Sequence, residues 1–235
     1  MQERVTIKAH DGGTFGAYVA RPAQEKSPAV VVIQEIFGIN AVMRGICADL
    51  AKKGFTAICP DLFWRQQPGI DITDKTEAEW KQAFALYNGF DVGLGVEDLK
   101  STLAFIRADK KTNGRAGTIG YCLGGKLAYL MAARSDADCG VSYYGVGLDE
   151  LLDEAGNIKK PLLMHIAEKD KFVPPAARQK IVETLSKNPH VALHVYQDVD
   201  HAFARVGGEH YDGAMAETAN MRTAQFLKAN LSSAG

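Results

Sequence analysis

The sequence predicts an α/β fold, with a mostly parallel central sheet of about eight strands flanked by helices on both faces. Three observations carry it. Residues 29–33 and 55–59 are short apolar runs unbroken by polar side chains, as strands covered on both faces are. Stretches of helical periodicity alternate with such runs, the pattern that specifies parallel strands joined by crossover helices. The first two strand signals alternate apolar with polar around a glycine turn, so the sheet is entered through an antiparallel hairpin.

That hairpin spans 5–9 and 14–20 around Asp11-Gly12-Gly13, a turn that needs positive φ. The run at 29–33 is a central strand and ends in Gln34-Glu35-Ile36-Phe37-Gly38. A helix over about 42–53 stops at Gly54, a C-cap glycine, and the strand at 55–59 is closed by Pro60-Asp61. Residues 62–73 read as a long loop, helices follow over 78–87 and 92–107, and Asn113-Gly114 turns the chain into the strand that ends at Tyr121. Val96, Leu99, Leu103 and Ile106 share one face of the second of these helices. Further strands are expected at 139–144, 161–166 and 192–196, a turn at Gly156-Asn157, and helices over 176–185 and 211–231.

At 235 residues and 46% hydrophobic content the chain can bury one substantial core, and residues 1–235 are expected to form a single domain. The 27 basic and 28 acidic side chains are interspersed, which leaves no footprint for nucleic acid or a membrane surface. The N-terminus alternates like a strand rather than a leader, and no run reaches membrane-spanning length, so a cytoplasmic protein is expected. Cys47, Cys59, Cys122 and Cys139 are widely spaced without a C-x-x-C pair, which argues against disulfides and structural zinc.

Gly120-Tyr121-Cys122-Leu123-Gly124-Gly125 has the spacing of a nucleophile elbow, with a thiol in place of the usual hydroxyl. A strand-to-helix turn of this kind lifts side chain 122 above the sheet end and sets it at a helix N-terminus, where a thiolate is favoured. A cysteine after an apolar strand is also a common core residue, so the motif needs partners. Asp170 follows the strand at 161–166, and His201 follows the last strand. The order nucleophile, acid, histidine is that of the α/β-hydrolase fold. In these roles His201 takes and returns the thiol proton while Asp170 fixes its tautomer. Glu168, Asp198, Asp200, His165, His194 and His210 are the competitors, and each is better explained by a turn, by packing or by the surface. The backbone N–H groups of Leu123 and Ile36 occupy the oxyanion-hole positions of such a fold, and Glu35 is a carboxylate expected close to the elbow.

At these residues the chain resembles the dienelactone hydrolases (carboxymethylenebutenolidases), and the likeness runs essentially end to end. Besides the elbow it covers Gln34-Glu35-Ile36-Phe37-Gly38, Cys59-Pro60-Asp61-Leu62, Tyr143-Tyr144-Gly145-Val146-Gly147, Asp170-Lys171-Phe172-Val173-Pro174 and His201-Ala202-Phe203-Ala204-Arg205. The resemblance implies a Cys-His-Asp hydrolase that opens a carboxylate-bearing enol-lactone without metal or cofactor. It also implies that Glu35 helps activate the thiol and that Arg205 is one of two arginines holding the substrate carboxylate. Where the family carries the second arginine, this chain has Trp80 with Lys81 alongside, and a family tyrosine appears as Phe84. Phe37, Trp64, Tyr87 and Tyr144 are candidate pocket walls, with core packing as the equal alternative.

The expected reaction is attack of Cys122 on an ester or lactone carbonyl, a thioester acyl-enzyme, and release by water with help from His201. Lactones outrank amides because a thiolate leaves more readily than an amine. A small anionic lactone or ester is the expected partner and a monomer the expected working form. A general carboxylesterase or thioesterase on the same triad, and a non-catalytic binding protein on a hydrolase scaffold, are the alternatives.

Overall fold

The apolar runs and periodic segments condense into eight strands and six α-helices among residues 1–232, which the structure, a computed structural model, describes. They fall into two compact units, Met1–Gly117 together with Leu231, and Thr118–Asn230. Strand β5 runs from one into the other.

In the first unit β1 (Gln2–Lys8) and β2 (Thr14–Ala20) form the expected hairpin, with Gly12 at φ +93° in its turn. Strand β3 (Ser27–Ile33) runs parallel to β4 (Thr56–Pro60), which in turn pairs antiparallel with β2, for an order β1-β2-β4-β3. Its helices begin at side-chain caps that satisfy orphan N–H groups. Asn40 accepts from Met43 N–H at 3.2 Å ahead of α1 (Ala41–Lys52), and Asp91 accepts from Leu94 N–H at 2.9 Å ahead of α3 (Val92–Arg107). Thr76 and Glu79 form a capping box for α2 (Glu77–Asn88): the Thr76 hydroxyl accepts from Glu79 N–H at 3.2 Å and donates to its carboxylate at 2.8 Å. The face of α3 read from the sequence, Val96, Leu99, Leu103 and Ile106, is buried.

The second unit is parallel throughout, with the order β5 (Thr112–Tyr121), β6 (Gly140–Tyr143), β7 (Leu162–Ala167), β8 (Val191–Tyr196). Helices α4 (Leu123–Arg134), α5 (Pro175–Leu185) and α6 (Gly213–Leu231) connect and follow these strands. Tyr121, Tyr143, His165 and His194 lie in one row of the register, so the strands end along a common edge and their following loops gather there. Tyr121 stacks on Tyr143 with ring centroids 4.7 Å apart, and the Tyr143 and His165 rings are 4.3 Å apart.

The polar atoms of Tyr143 and His165 in this row are satisfied from α6 and β8, as burial requires. Tyr143 Oη is 2.7 Å from Thr223 Oγ1 and accepts or donates there, and it donates to Asn220 at 3.0 Å. His165 is bonded at both nitrogens, to Tyr196 Oη at 2.8 Å and Thr223 Oγ1 at 2.9 Å. Burial, reinforced by His194 and Arg222, pushes the His165 pKa down to about 3, so this ring is neutral.

Two strand boundaries that differ from the sequence reading have a local cause. Strand β5 starts at Thr112 and runs through Asn113-Gly114, where a turn was expected: Gly114 takes φ +82° and Asn113 accepts from Arg115 N–H at 3.0 Å, a turn embedded in the strand's first residues. Strand β6 ends at Tyr143 because Tyr144 swings to φ 37°. The Gly156-Asn157 turn is the end of a 3-10 segment, Leu152–Asn157. Among the described residues no helix is long and apolar enough to cross a membrane.

Candidate active site

The elbow is a consequence of its glycines. A Cβ placed on Gly120 would lie 1.8 Å from the Gly124 carbonyl oxygen, and one on Gly125 would lie 2.5 Å from the Tyr143 carbonyl oxygen and 2.8 Å from Gly145 Cα. Only bare backbone lets β5 and α4 meet so closely. Between them Cys122 is held at φ 57°, ψ −115°, which costs a β-carbon-bearing residue about 1–3 kcal/mol and persists only where the surroundings enforce it. Here its N–H donates to the Tyr143 carbonyl at 3.1 Å, and its carbonyl accepts from Lys126 N–H at 3.1 Å. Cys122 is the N-terminal residue flanking α4, makes no side-chain cap, and no acidic residue occupies the first turn, so the helix dipole acts on the sulfur undiminished. Leu123, the next residue, presents one of the N–H groups that a helix start leaves without an intrahelical acceptor.

The loops after β7 and β8 bring the other two groups together. His201 Nδ1 is 2.8 Å from Asp170 Oδ2, and Asp170 Oδ1 accepts from Phe172 N–H at 2.9 Å. Cys122, Asp170 and His201 retain 8%, 4% and 5% of their surface, enough exposure for the sulfur to be reached and little enough to keep water from the ion pair. Among the described residues His201 Nε2 has no nitrogen or oxygen partner, and the Cys122 side chain interacts with the ring. Burial alone would drive the imidazole's proton off; the sulfur of Cys122 and the carboxylate of Asp170 outweigh it and push the pKa up to about 10. His165, equally buried but without an anionic partner, shifts the other way. Neighbouring charge, not burial, distinguishes the two histidines.

Rings frame the imidazole. Tyr144 meets it edge-on at 5.1 Å and Phe172 at 4.8 Å. Phe172, half exposed, escaped the sequence reading, although it sits inside the Asp170-Lys171-Phe172-Val173-Pro174 stretch. Arg205, also of this unit, is buried four residues beyond His201, and its N–H donates to the Ala202 carbonyl at 2.9 Å. The competing groups take other partners: Glu168 accepts from Asp198 N–H at 2.9 Å, His194 stacks on His165 at 6.2 Å, and His210 Nε2 is 3.8 Å from Asp200.

The remaining candidates belong to the first unit. Glu35 and Ile36 are buried there beyond the end of β3. Phe37 meets the Trp80 ring edge-on at 5.1 Å, and Trp80 stacks on exposed Phe84 at 5.5 Å while donating its indole N–H to the Asp74 carbonyl at 3.0 Å. Lys81 is exposed and Tyr87 half-buried on the same helix. Trp64 joins a different cluster: it stacks on Phe15 at 5.7 Å, lies under the Arg65 guanidinium at 4.1 Å, and donates to buried Asp98 at 2.8 Å. Arg65 bridges Asp98 and Asp11. Among the described residues no group of three or more His, Cys, Asp or Glu side chains is arranged to hold a metal ion.

The sequence profile of the dienelactone hydrolase family matches residues 15–231. The chain belongs to the dienelactone hydrolase family. It is 41% identical over 227 residues to the carboxymethylenebutenolidase of Pseudomonas putida, across 97% of this chain and 96% of that one. An Azospirillum brasilense protein provisionally given the same name is 54% identical over 237 residues, across 97% and 98% of the two chains. In three dimensions a crystal structure from Klebsiella pneumoniae, provisionally described as a dienelactone hydrolase, superposes with a TM-score of 0.83 at 26% identity and covers 98% of each chain. This dienelactone hydrolase family member accordingly has the α/β-hydrolase fold expected of it and is a hydrolase acting on lactone or ester bonds.

Proposed function

We propose that the chain opens a carboxylate-bearing enol-lactone, of the kind that yields maleylacetate from dienelactone, through a thioester on Cys122. The observation that carries this reading is that one buried imidazole, His201, is tied to Asp170 through Nδ1 at 2.8 Å and interacts with the Cys122 side chain as well. The relatives named carboxymethylenebutenolidase support the lactone as substrate.

The raised His201 pKa, sustained by the neighbouring Cys122 and Asp170 side chains against burial, keeps the proton on the ring. The sulfur attacks the lactone carbonyl carbon, the carbonyl oxygen takes up the electron pair, and the Leu123 N–H stabilises that oxyanion. Collapse re-forms the carbonyl and breaks the ring C–O bond; the enolate oxygen leaves with the proton of His201, and the resulting enol becomes the ketone afterwards. With its proton gone, His201 removes one from water, hydroxide adds to the thioester, and the thiolate leaves as the acid forms. Asp170 stabilises the charged ring at each stage. An enolate departs far more easily than an amine, which is why a sulfur nucleophile suits this substrate class.

Ile36 N–H is proposed as the second oxyanion donor, Glu35 as the carboxylate that helps activate the thiol, and Arg205 as the anchor for the substrate carboxylate, a task suited to a bidentate guanidinium. We also take residues 1–235 to act as one domain and a monomer in the cytoplasm, without metal or cofactor; sedimentation of the purified protein checks the monomer. A neutral-ester reading has one observation in its favour. Trp80, at the position where the family carries an arginine, is packed between Phe37 and Phe84 and offers an aromatic surface instead of a charge. Turnover of cis- and trans-dienelactones beside simple aryl esters separates the readings: a clear preference for the lactones supports the first, and equal or better use of neutral esters supports the second. Cys122→Ala abolishes both activities under either reading, and its survival as an active enzyme would refute the mechanism.

A further inference from the structure

We propose that Asp200 is a positioning residue that clamps the acid loop to the histidine loop and so sets the Asp170–His201 contact. The inference rests on the triad reading above and adds a part to it that the elbow, acid and base do not themselves supply.

The two loops are zipped by main chain only part of the way. Glu168 N–H donates to the Tyr196 carbonyl at 2.9 Å, and Lys169 N–H donates to the Val199 carbonyl at 2.9 Å. Among the described residues these are the last backbone-to-backbone ties between them on the approach to the site, and the catalytic pair lies beyond. At that point one carboxylate oxygen takes over: Asp200 Oδ1 accepts from His201 N–H at 2.7 Å and from Lys171 N–H at 3.1 Å. The two donors are the amide of the histidine itself and the amide that follows Asp170. A single atom therefore fixes the separation of the two backbones that carry the acid and the base.

The loop needs such a clamp. Ala202, just past His201, is held at φ 62°, a left-handed conformation that costs an alanine energy, while Asp198 on the other side takes φ 60°, which aspartate tolerates in turns. Oδ2 contributes less, since it pairs with Lys171 Nζ at 3.0 Å and His210 Nε2 at 3.8 Å through side chains that are 74% and 37% exposed and screened by water. The work lies in accepting two N–H bonds, so an uncharged acceptor of the same shape should serve. A displacement of about 1 Å between catalytic groups costs on the order of 100-fold in rate, which sets the scale of what the clamp protects.

The test compares Asp200→Ala, Asp200→Asn, Lys171→Ala and Cys122→Ala in dienelactone turnover, together with the low-field proton NMR resonance of His201 Nδ1–H in each. Asp200→Ala is expected to lower kcat by about 10- to 100-fold with KM changed less than about twofold, to broaden or abolish the resonance, and to shift the alkaline limb of kcat to lower pH. Asp200→Asn keeps the acceptor, the resonance and kcat within about threefold; Lys171→Ala, which removes only the exposed ammonium, stays near wild type. If Asp200→Ala does not fold, Asp200→Ser withdraws the acceptor from Lys171 N–H and carries the same comparison. Unchanged kcat and resonance in the Ala or Ser variant, beside an inactive Cys122→Ala, would overturn the clamp alone, as would an Asn variant that falls as far as Ala. An active Cys122→Ala would instead overturn the triad, while the resonance still reports on the clamp.

Discussion

Replacing Gly120 with alanine puts a methyl group where the structure has room for none. The new Cβ would sit 1.8 Å from the Gly124 carbonyl oxygen, and real Cβ contacts are essentially never under 3.0 Å, so strand β5 and the first turn of α4 have to part by ~1.2 Å. The obstacle is backbone, which cannot rotate aside as a side chain does. Overpacking of this kind costs about 1–3 kcal/mol, and for a chain of this size that lowers Tm by roughly 2–12 °C. The catalytic effect is larger, because Cys122 sits on the hinge between the two elements being pushed apart. A shift of about 1 Å at the sulfur should reduce kcat by roughly 100-fold, with a parallel loss in the rate of Cys122 alkylation as the sulfur moves away from His201. Thermal unfolding, lactone turnover and iodoacetamide labelling read these three quantities on one preparation. A Gly120→Ala protein with wild-type Tm and turnover would refute the account of the elbow.

The two buried histidines predict opposite pH effects. His201, with a folded pKa of about 10 against 6.5 unfolded, stabilises the fold below pH 6.5, and that contribution is lost as pH rises through about 10; Asp170→Asn should move this loss, and the alkaline limb of kcat/KM, to lower pH. His165, near 3 when folded, refuses a proton that the unfolded chain accepts, so stability should fall as pH drops from 6.5 towards 3; chemical denaturation of His165→Leu should show a flatter acid profile, at a cost of about 1–3 kcal/mol at neutral pH from the hydroxyls it strands. Arg205→Ala is expected to raise KM by about 10- to 100-fold for carboxylate-bearing substrates and little for neutral esters; equal loss on both would remove the carboxylate anchor.

Much of this site is legible in the chain because its parts follow strands. The elbow is written in local glycines, and the acid and histidine come just after the apolar runs that form β7 and β8. What escaped depends on atoms distant in sequence. Asp200 looks like one more turn aspartate until the neighbouring loop brings the Lys171 amide to it. Tyr144 takes a left-handed conformation that no propensity foretells for a bulky aromatic, and it shortens β6 by doing so. Asn113-Gly114 is a sound turn signal that the sheet absorbs into β5, since a turn at the start of a strand breaks few ladder bonds. Trp64 is a candidate pocket wall by its size and loop, with core packing as the equal alternative; its contacts with Phe15 and Asp98 come from segments distant in sequence.

Intact-mass analysis of the enzyme, quenched in acid during turnover of a slow aryl ester and followed by peptide mapping, tests the covalent step most directly. The account predicts an acyl-sized mass increment on the Cys122 peptide that appears within the burst, decays as substrate is exhausted, and is absent from Cys122→Ala. Full turnover with no increment on that peptide, or an increment on another side chain, would contradict it.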